Sequence, residues 1–200
     1  MTDDAPSSPA AALRSLVATA VGADLADLDG RIEVVEAGSG SEGDDVAGSD
    51  ASAPAERLAE IVGRADSVVA VVPRFDADLA RRLNAALSPS ATGADGGGPA
   101  GDAAVPGEVR VVFTDAASDR LSGATGAVVR RALADRGVDA YRHAGESPVA
   151  VVLADDRAAV GSVDGDGVAA LLWTDAPPVR EWAAATCRRY LDAAEPVDGS

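Results

Sequence analysis

Apolar residues recur with two periods along the first half of the chain, and these periods predict alternating helices and strands. Spacing of three and four residues predicts helices over Ala10–Val21, over Ala55–Arg64 and from Asp76 to near Leu87. The short run Arg31–Glu36 predicts a strand. A continuous apolar run over Ser67–Pro73 is typical of a strand that is covered on both faces.

The second half repeats this layout of strand and helix. Glu108–Thr114 and Val138–Arg142 are predicted strands. Between them, a helical region is predicted from Asp115 to Arg136, with a break near Gly123. The residues expected to face inward on this helix are Val128, Val129, Ala132 and Leu133.

Three β-rich runs follow between Pro148 and Asp175, separated by Asp155-Asp156 and by the turn Asp164–Gly167. Asp and Gly tolerate turn dihedrals, so this pattern predicts a three-stranded antiparallel meander. A long helix is predicted from Ala176 to Glu195, with Asp175 as its N-cap. Its inward face is predicted to contain Val179, Trp182, Ala183, Thr186, Tyr190 and Ala194.

Together these elements predict an α/β protein with a mixed sheet flanked by helices, ending in the meander and the long C-terminal helix. Residues 1–9 are expected to be a disordered tail, and residues 10–197 a single α/β domain. Residues 38–54 and 88–107 are rich in Gly, Ser, Asp and Ala. Such segments bury too little apolar surface to offset their ordering entropy, so we expect them to be flexible insertions.

The charge of the chain changes this picture, because acidic residues number 33 against 17 basic residues, for a formal charge of −16. All of the basic residues are Arg; the sequence contains no Lys. A surface of this kind repels itself unless salt screens it, and the Debye length falls to about 3 Å at 1 M salt. The acidic residues are spread along the chain, which predicts a cytoplasmic protein of an extreme halophile and not a protein with an acidic tail.

The same composition limits the partners that we expect. Nucleic-acid binding depends largely on Lys and Arg contacts to phosphates, and the chain has no basic run, so direct DNA binding is not expected. No apolar run approaches the roughly 18 residues that span a membrane. The single cysteine, Cys187, makes neither an internal disulfide nor a Cys-based metal site.

Few residues suggest chemistry. Asp164–Gly167 is similar to the start of a calcium loop, but the remaining ligands are missing and a hairpin turn is favoured. The sole histidine, His143, is expected to have a surface or capping role, and Cys187 to be a buried, inert thiol. We therefore predict no metal, no cofactor and no catalytic residue.

The candidate ligand site comes from topology, because ligands of open α/β sheets bind where strand ends lead into helices. Those places are Pro73–Asp76 and Phe113–Asp115. Arg74 is suited to a phosphate or carboxylate, Asp76 is the acid that follows it, and Thr114 and Asp115 are suited to hydroxyls. The alternative is that Asp76 and Asp115 are only helix caps.

A resemblance to a known family rests on structural residues of the closing unit: Val151–Asp156, Gly161, Asp164, Gly167, Leu171, Leu172, Thr174, Asp175, Trp182, Tyr190 and Ala194–Pro196. This pattern resembles the effector domains of archaeal transcriptional regulators, namely the middle domain of methanogenesis regulators and the TrmB-like and TbsP-like regulators. The resemblance covers about Val109–Val197 and, more loosely, Ala55–Leu87. It implies a phospholipase-D-like fold.

Two departures from those proteins are visible. No winged-helix module is recognisable, so a DNA-binding regulator partner or a homodimer is expected instead. Phospholipase-D chemistry uses a His-x-Lys pair with Asp, whereas His143 is the only histidine and Lys is absent. The sequence therefore predicts a non-catalytic domain that senses a small metabolite or binds a partner. A small α/β enzyme acting on a phosphorylated metabolite and a scaffolding domain are the alternatives.

Overall fold

The computed structural model describes residues 8–28, 30–38, 53–86, 107–165 and 167–197. Its helices are α1 Pro9–Val21, α2 Leu25–Leu28, α3 Ala53–Gly63, α4 Ala77–Ala86, α5 Asp115–Asp119, α6 Gly123–Ala134 and α7 Pro177–Asp192. Its strands are β1 Ile32–Glu36, β2 Ser67–Val72, β3 Glu108–Thr114, β4 Val138–His143, β5 Ala150–Ala154, β6 Arg157–Val163, β7 Val168–Thr174 and β8 Glu195–Pro196.

The strands form one eight-stranded mixed sheet in the order β1-β7-β6-β5-β2-β3-β4-β8. Strands β2, β3 and β4 are parallel, whereas β5, β6 and β7 form the antiparallel meander that the turn residues predicted. Strand β5 joins the two halves because it pairs antiparallel with β2. The predicted α/β fold with a mixed sheet, a closing meander and a C-terminal helix is confirmed.

Both predicted hairpin turns are present in the meander. Asp155 adopts a positive φ of 47° between β5 and β6. Its two carboxylate oxygens accept the backbone N–H groups of Asp66 and Ser67, each at 2.9 Å. In the second turn, the N–H of Asp164 donates to the carbonyl of Gly167 at 2.9 Å. The first turn therefore also fixes the start of β2.

Helices cover both faces of the sheet. Helices α1 and α7 pack on one face, where Val17, Val71, Val160, Leu172 and Val179 are fully buried. On the other face, α3 packs over β7 and β1, α4 packs against α3, and α6 packs over β4. Side chains alternate between the faces along a strand, so β2 must be apolar at almost every position to contribute to both cores.

Three predictions about helices α6 and α7 were wrong. The N-cap residue of α7 is Ala176 and not Asp175, because the buried hydroxyl of Thr174 accepts the N–H of Ala176 at 2.9 Å. Helix α7 ends at Asp192, after which β8 turns back to pair with β4. Val128, expected to face inward on α6, is 69% exposed.

Most of the predicted tail and insertions lie outside the described residues, namely 1–7, 39–52 and 87–106. Their flexibility, and the single-domain boundary at 10–197, stay predictions. Within the described part, α1 begins at Pro9 and α3 at Ala53, each slightly earlier than predicted. Proline suits the first turn of a helix because its missing N–H has no intrahelical acceptor there, and Pro9 and Pro54 both occupy such positions. No helix in the described ranges is long and apolar enough to cross a membrane.

Candidate functional site

A cavity of about 480 Å³ lies between the sheet and helices α3, α4 and α6. The sheet supplies a floor of small and apolar residues: Val68, Ala70, Val72, Val109, Val111, Phe113, Val152, Ala159, Gly161 and Leu171. The helices supply walls that are also mainly apolar: Leu58, Val62, Leu79, Leu83, Val129, Ala132 and Leu133. The volume falls within the range of roughly 300–1,000 Å³ that is usual for small-molecule sites.

Small residues on the floor, among them Ala70, Ala159 and Gly161, leave space between the sheet and the partly buried helix α4. None of the described side chains of α4 is buried. A Cβ atom added at Gly161 would lie 3.7 Å from its nearest neighbours, which are atoms of Ala150, Ala170 and Leu171. This is an ordinary van der Waals distance, so the site has room for a side chain. Protein interiors are normally packed as densely as organic crystals, so an apolar space of this size favours an occupant.

The charged side chains that line the cavity are predominantly basic. Among the described residues, Arg74, Arg81 and Arg136 line it, together with one carboxylate, Asp76. The chain as a whole carries a formal charge of −16. The lining therefore has the opposite sign to the rest of the protein, which favours an anionic ligand.

The arginines differ in how they are held. Arg136 donates from Nε to the side-chain oxygen of Asn84 and from its guanidinium to the carbonyl of Ala132, so it ties the end of α6 to α4. Arg74 is exposed and follows β2, and it forms no hydrogen bond or ion pair with the part of the chain that the structure describes. Arg74 is thus the lining arginine that is most available to a ligand.

Asp76 has a structural role at the same position. Its Oδ1 accepts the N–H of Leu79 at 3.0 Å, which caps the first turn of α4. Its Oδ2 lies against Gly167 in the β6–β7 turn. The capping alternative for Asp76 is therefore observed, and its contact with a ligand stays a prediction.

Thr114 and Asp115 are not part of this cavity lining. Phe113 lines the cavity, and strand alternation places Thr114 toward the opposite face of β3. Thr114 is fully buried, and its hydroxyl has no hydrogen-bond partner among the described residues. Thr114 is the N-cap residue of α5 and Asp115 its first residue, so the suggestion that Asp115 caps this helix was wrong. The side chain of Asp115 lies outside the described part, and ligand binding by Thr114 and Asp115 stays a prediction.

Sequence reasoning missed Asn84, Arg136 and Gly161 as lining residues. Strand ends were the only signal used, and none of these three lies at the end of a parallel strand. The one available clue was Gly161, since a glycine within a buried strand often marks a close approach or a gap.

The two remaining candidates for chemistry are structural. The Nδ1 atom of His143 accepts the N–H of Gly145 at 2.8 Å, and its ring lies edge-on to Tyr190 with centroids 4.9 Å apart. The thiol of Cys187 contacts the carbonyl of Val69 at 3.7 Å, and burial raises its pKa to about 12. In the described ranges, no cluster of His, Cys, Asp and Glu is arranged to hold a metal ion.

A second concavity of about 580 Å³ lies beside α1 and β1, and its lining includes Ser8, Arg14, Leu25 and Glu36. It is larger but more open and more polar than the cavity over the sheet. Burial of ligand surface is the main source of small-molecule affinity, so the more enclosed apolar cavity is the better candidate site.

Comparison with known proteins supports the expected family resemblance. Residues 102–193 match the family model described as the methanogenesis regulatory protein FilR1, middle domain. This match covers less than half of the chain, and it shows that the second half resembles a domain of regulatory proteins. No curated protein is significantly similar to the chain.

Among solved structures, TrmBL2, an archaeal chromatin protein with a novel mode of DNA binding, is similar with a TM-score of 0.50 and 12% identity. That similarity covers 84% of this chain and 54% of TrmBL2, so the chain spans about half of that protein. The phospholipase D family member Nuc from Salmonella typhimurium is similar with a TM-score of 0.54 and 12% identity, over 82% of this chain and 96% of Nuc. These similarities confirm the phospholipase-D-like fold.

Proposed function

We propose that the chain is a non-catalytic domain of a regulatory system that senses a small molecule in the cavity over the sheet. The observation that carries this proposal is the cavity itself, which combines an apolar floor with arginines at its lining. The match of residues 102–193 to a domain of a regulatory protein supports the regulatory context. We place the domain in the cytoplasm of a halophile, and the acidic, lysine-free composition supports this placement.

The output of the domain passes through a partner. We place it in a homodimer or beside a regulator that carries a DNA-binding module, because no such module is recognisable in the sequence. TrmBL2, which has a similar fold, is a DNA-binding protein about twice as long as the matched region. That relationship supports a place next to a DNA-binding module, with direct DNA contact made by the partner.

An enzymatic role is the second candidate, since the fold is also that of the phospholipase D family member Nuc. Phosphodiesterase chemistry of this type needs His and Lys side chains. The sequence contains no Lys. Its only histidine, His143, accepts a backbone hydrogen bond and packs on Tyr190. These features support the sensor over the enzyme.

The test is thermal unfolding of the chain in about 2–3 M KCl, where salt screens the acidic surface. The panel contains sugars, sugar phosphates, nucleotides, amino acids and amphipathic carboxylates. A ligand at 100 times its dissociation constant stabilises the folded state by about 2.7 kcal/mol, which corresponds to a shift of several degrees.

A matched variant locates the binding site. Gly161→Leu places a side chain in the cavity without a close contact at its Cβ, so it should remove the ligand-induced shift while unfolding stays cooperative. Each compound that shifts the midpoint is then incubated with the protein and analysed for products. Conversion of that compound would establish the enzyme alternative, and a panel with no shifts would remove the sensing proposal.

A further inference from the structure

We infer that the ligand of the cavity is an amphipathic anion, with an aliphatic body over the sheet and a carboxylate or phosphate head at Arg74. This inference rests on the proposed function, because it names the ligand class of the same site. An amphipathic anion is a different ligand class from the sugar or nucleotide that we would expect at a site formed by strand ends.

The shape and chemistry of the walls favour an aliphatic body. The floor from β2, β3, β5 and β6 and the walls from α3, α4 and α6 are lined mostly by Val, Leu and Ala side chains. A sugar in this space would leave hydroxyl groups without hydrogen-bond partners, which opposes binding. A methylene group occupies roughly the 30 Å³ of a water molecule, so a chain of about 8–14 carbons suits the space. The available cavity volume is about 480 Å³.

The polar residues of the lining favour an anionic head. Among the described residues, Arg74, Arg81 and Arg136 line the cavity together with one carboxylate, Asp76, and that carboxylate caps α4. Arg136 is bonded to Asn84 and to the carbonyl of Ala132. Arg74 is exposed and has no hydrogen-bond or ion-pair partner within the described ranges, and a guanidinium binds carboxylate or phosphate with paired hydrogen bonds. Arg74 is therefore the residue that selects the head group.

A segment of the chain itself is a competing occupant. Residues 87–106, which connect α4 to β3, contain only two large apolar side chains, Leu87 and Val105. That composition is poorly suited to filling an apolar cavity of this size. A variant with residues 90–104 replaced by a short Gly-Ser linker tests this alternative directly.

The experiment is isothermal titration of the full chain in about 2 M KCl, where the acidic surface is screened. The probes are decanoate, octanoate, decyl phosphate, decanol and glucose 6-phosphate. The three charged amphiphiles are used below their critical micelle concentrations. Decanoate and decyl phosphate should bind at least tenfold more tightly than decanol. Octanoate should bind about 15-fold more weakly than decanoate, since each methylene contributes a factor of about four. Comparison of the affinities of decanoate and decyl phosphate shows whether a carboxylate or a phosphate head group is preferred.

Three variants place the ligand. Gly161→Leu should abolish decanoate binding, because it fills the floor of the cavity. Arg74→Gln should weaken decanoate about fivefold or more and leave decanol unchanged, since it removes one charge-assisted pair. Arg188→Gln is the matched control, because Arg188 is an exposed arginine on α7, which packs on the opposite face of the sheet. It should bind every probe as the unaltered chain does.

The possible failures are distinguishable. Binding of glucose 6-phosphate but not of the amphiphiles would overturn this inference and leave the sensing function intact. Equal decanoate affinity in the chain and in Gly161→Leu would place the amphiphile outside the cavity and also overturn the inference. Binding only by the linker variant would show that residues 87–106 occupy the cavity of the unaltered chain, which would also overturn the inference. If no probe binds either the unaltered chain or the linker variant, the inference is overturned. The proposed function falls with it only if the wider thermal-unfolding panel also shows no shift.

Discussion

The carboxylate of Asp76 packs against the backbone of Gly167, so closely that a Cβ atom at position 167 would overlap Oδ2 of Asp76. Gly167 closes the β6–β7 turn with a φ of +125°, and Asp76 caps α4. This contact joins the second half of the sheet to the helix that borders the cavity. The local turn and the helix cap therefore depend on each other.

Gly167→Ala should destabilise the fold by about 1–3 kcal/mol, because it combines backbone strain with displacement of the Asp76 cap. Gly165→Ala, two residues away in the same turn, has no heavy atom within 4 Å of its added Cβ and should be nearly neutral. Guanidinium unfolding of both variants at constant KCl measures the difference. Equal midpoints for the two alanine variants would contradict the role given to the Asp76 contact.

Asp155 should matter more to stability than its neighbour Asp156. Its carboxylate accepts the N–H groups of both Asp66 and Ser67 at 2.9 Å, which fixes the start of β2 against the β5–β6 turn. Asp155→Ala should cost roughly 1–3 kcal/mol, since it removes both acceptors and places alanine at a positive φ. Asp155→Asn should cost less, because asparagine tolerates that conformation and keeps one acceptor oxygen.

Asp156→Ala is the control for this pair, as Asp156 is exposed in the same turn. Equilibrium unfolding should rank Asp155→Ala as least stable, Asp155→Asn as intermediate and Asp156→Ala close to the unaltered chain. If Asp156→Ala were the most destabilised of the three, the bonds to Asp66 and Ser67 would not be what holds this turn.

Thr174 should be the residue that fixes the start of α7. Its buried hydroxyl donates to the carbonyl of Arg31 at 2.6 Å and accepts the N–H of Ala176 at 2.9 Å. Thr174→Val keeps the shape but leaves both backbone groups without this partner, so the expected loss is about 1–3 kcal/mol. Thr125→Val, at an exposed position of α6, should change the free energy of unfolding by less than about 0.5 kcal/mol.

Asp175→Ala completes that comparison. Asp175 is exposed, and the N-cap residue of α7 is Ala176. Removal of the Asp175 carboxylate should therefore leave stability almost unchanged in the same unfolding assay. A loss as large as that of Thr174→Val would restore Asp175 as the effective cap.

Cys187 should make the protein less stable at alkaline pH. Burial raises the pKa of its thiol from 9.0 to about 12. Between these two values, the unfolded chain releases the thiol proton while the folded chain keeps it, so stability falls as pH rises, by at most about 1.4 kcal/mol per pH unit. Cys187→Ala should show a shallower decline from pH 9 to 11 in parallel unfolding curves. Other groups that titrate in this range cancel in the comparison.

The same burial predicts low reactivity. A thiol-specific reagent at pH 8 should modify Cys187 slowly in the folded protein and rapidly after denaturation, because the reactive species is the thiolate. The rate is followed by the release of a chromophoric thiol. A fast reaction in the native state would show that the helix α7 opens readily.

The sequence by itself determined the elements whose signals are local. The turns at Asp155 and Asp164–Gly167, the buried strand β2 and the apolar face of α7 each follow from residues within a few positions of one another. Dihedral preferences of turn residues and the period of apolar side chains act over that range. Both can therefore be predicted from the sequence without knowing which elements pack together. The resemblance of the closing unit to a regulator domain could be recognised because the residues that carry it lie in one contiguous segment of the sequence.

Only the tertiary structure decided which of these residues share a surface. Strand ends pointed to both Arg74 and Thr114, but the alternation of β3 leaves Thr114 outside the cavity that Arg74 lines. The bond from Ala176 to the Thr174 hydroxyl is local, but the same hydroxyl donates to the carbonyl of Arg31, which is 143 residues away in sequence. The cavity is assembled from strands of both sheet halves and from three helices, and only the fold shows that Arg74 and Arg136 line the same cavity. The cavity lining and the long-range contacts depend on packing between segments that are distant in sequence. The spacing of apolar residues along the chain does not predict that packing.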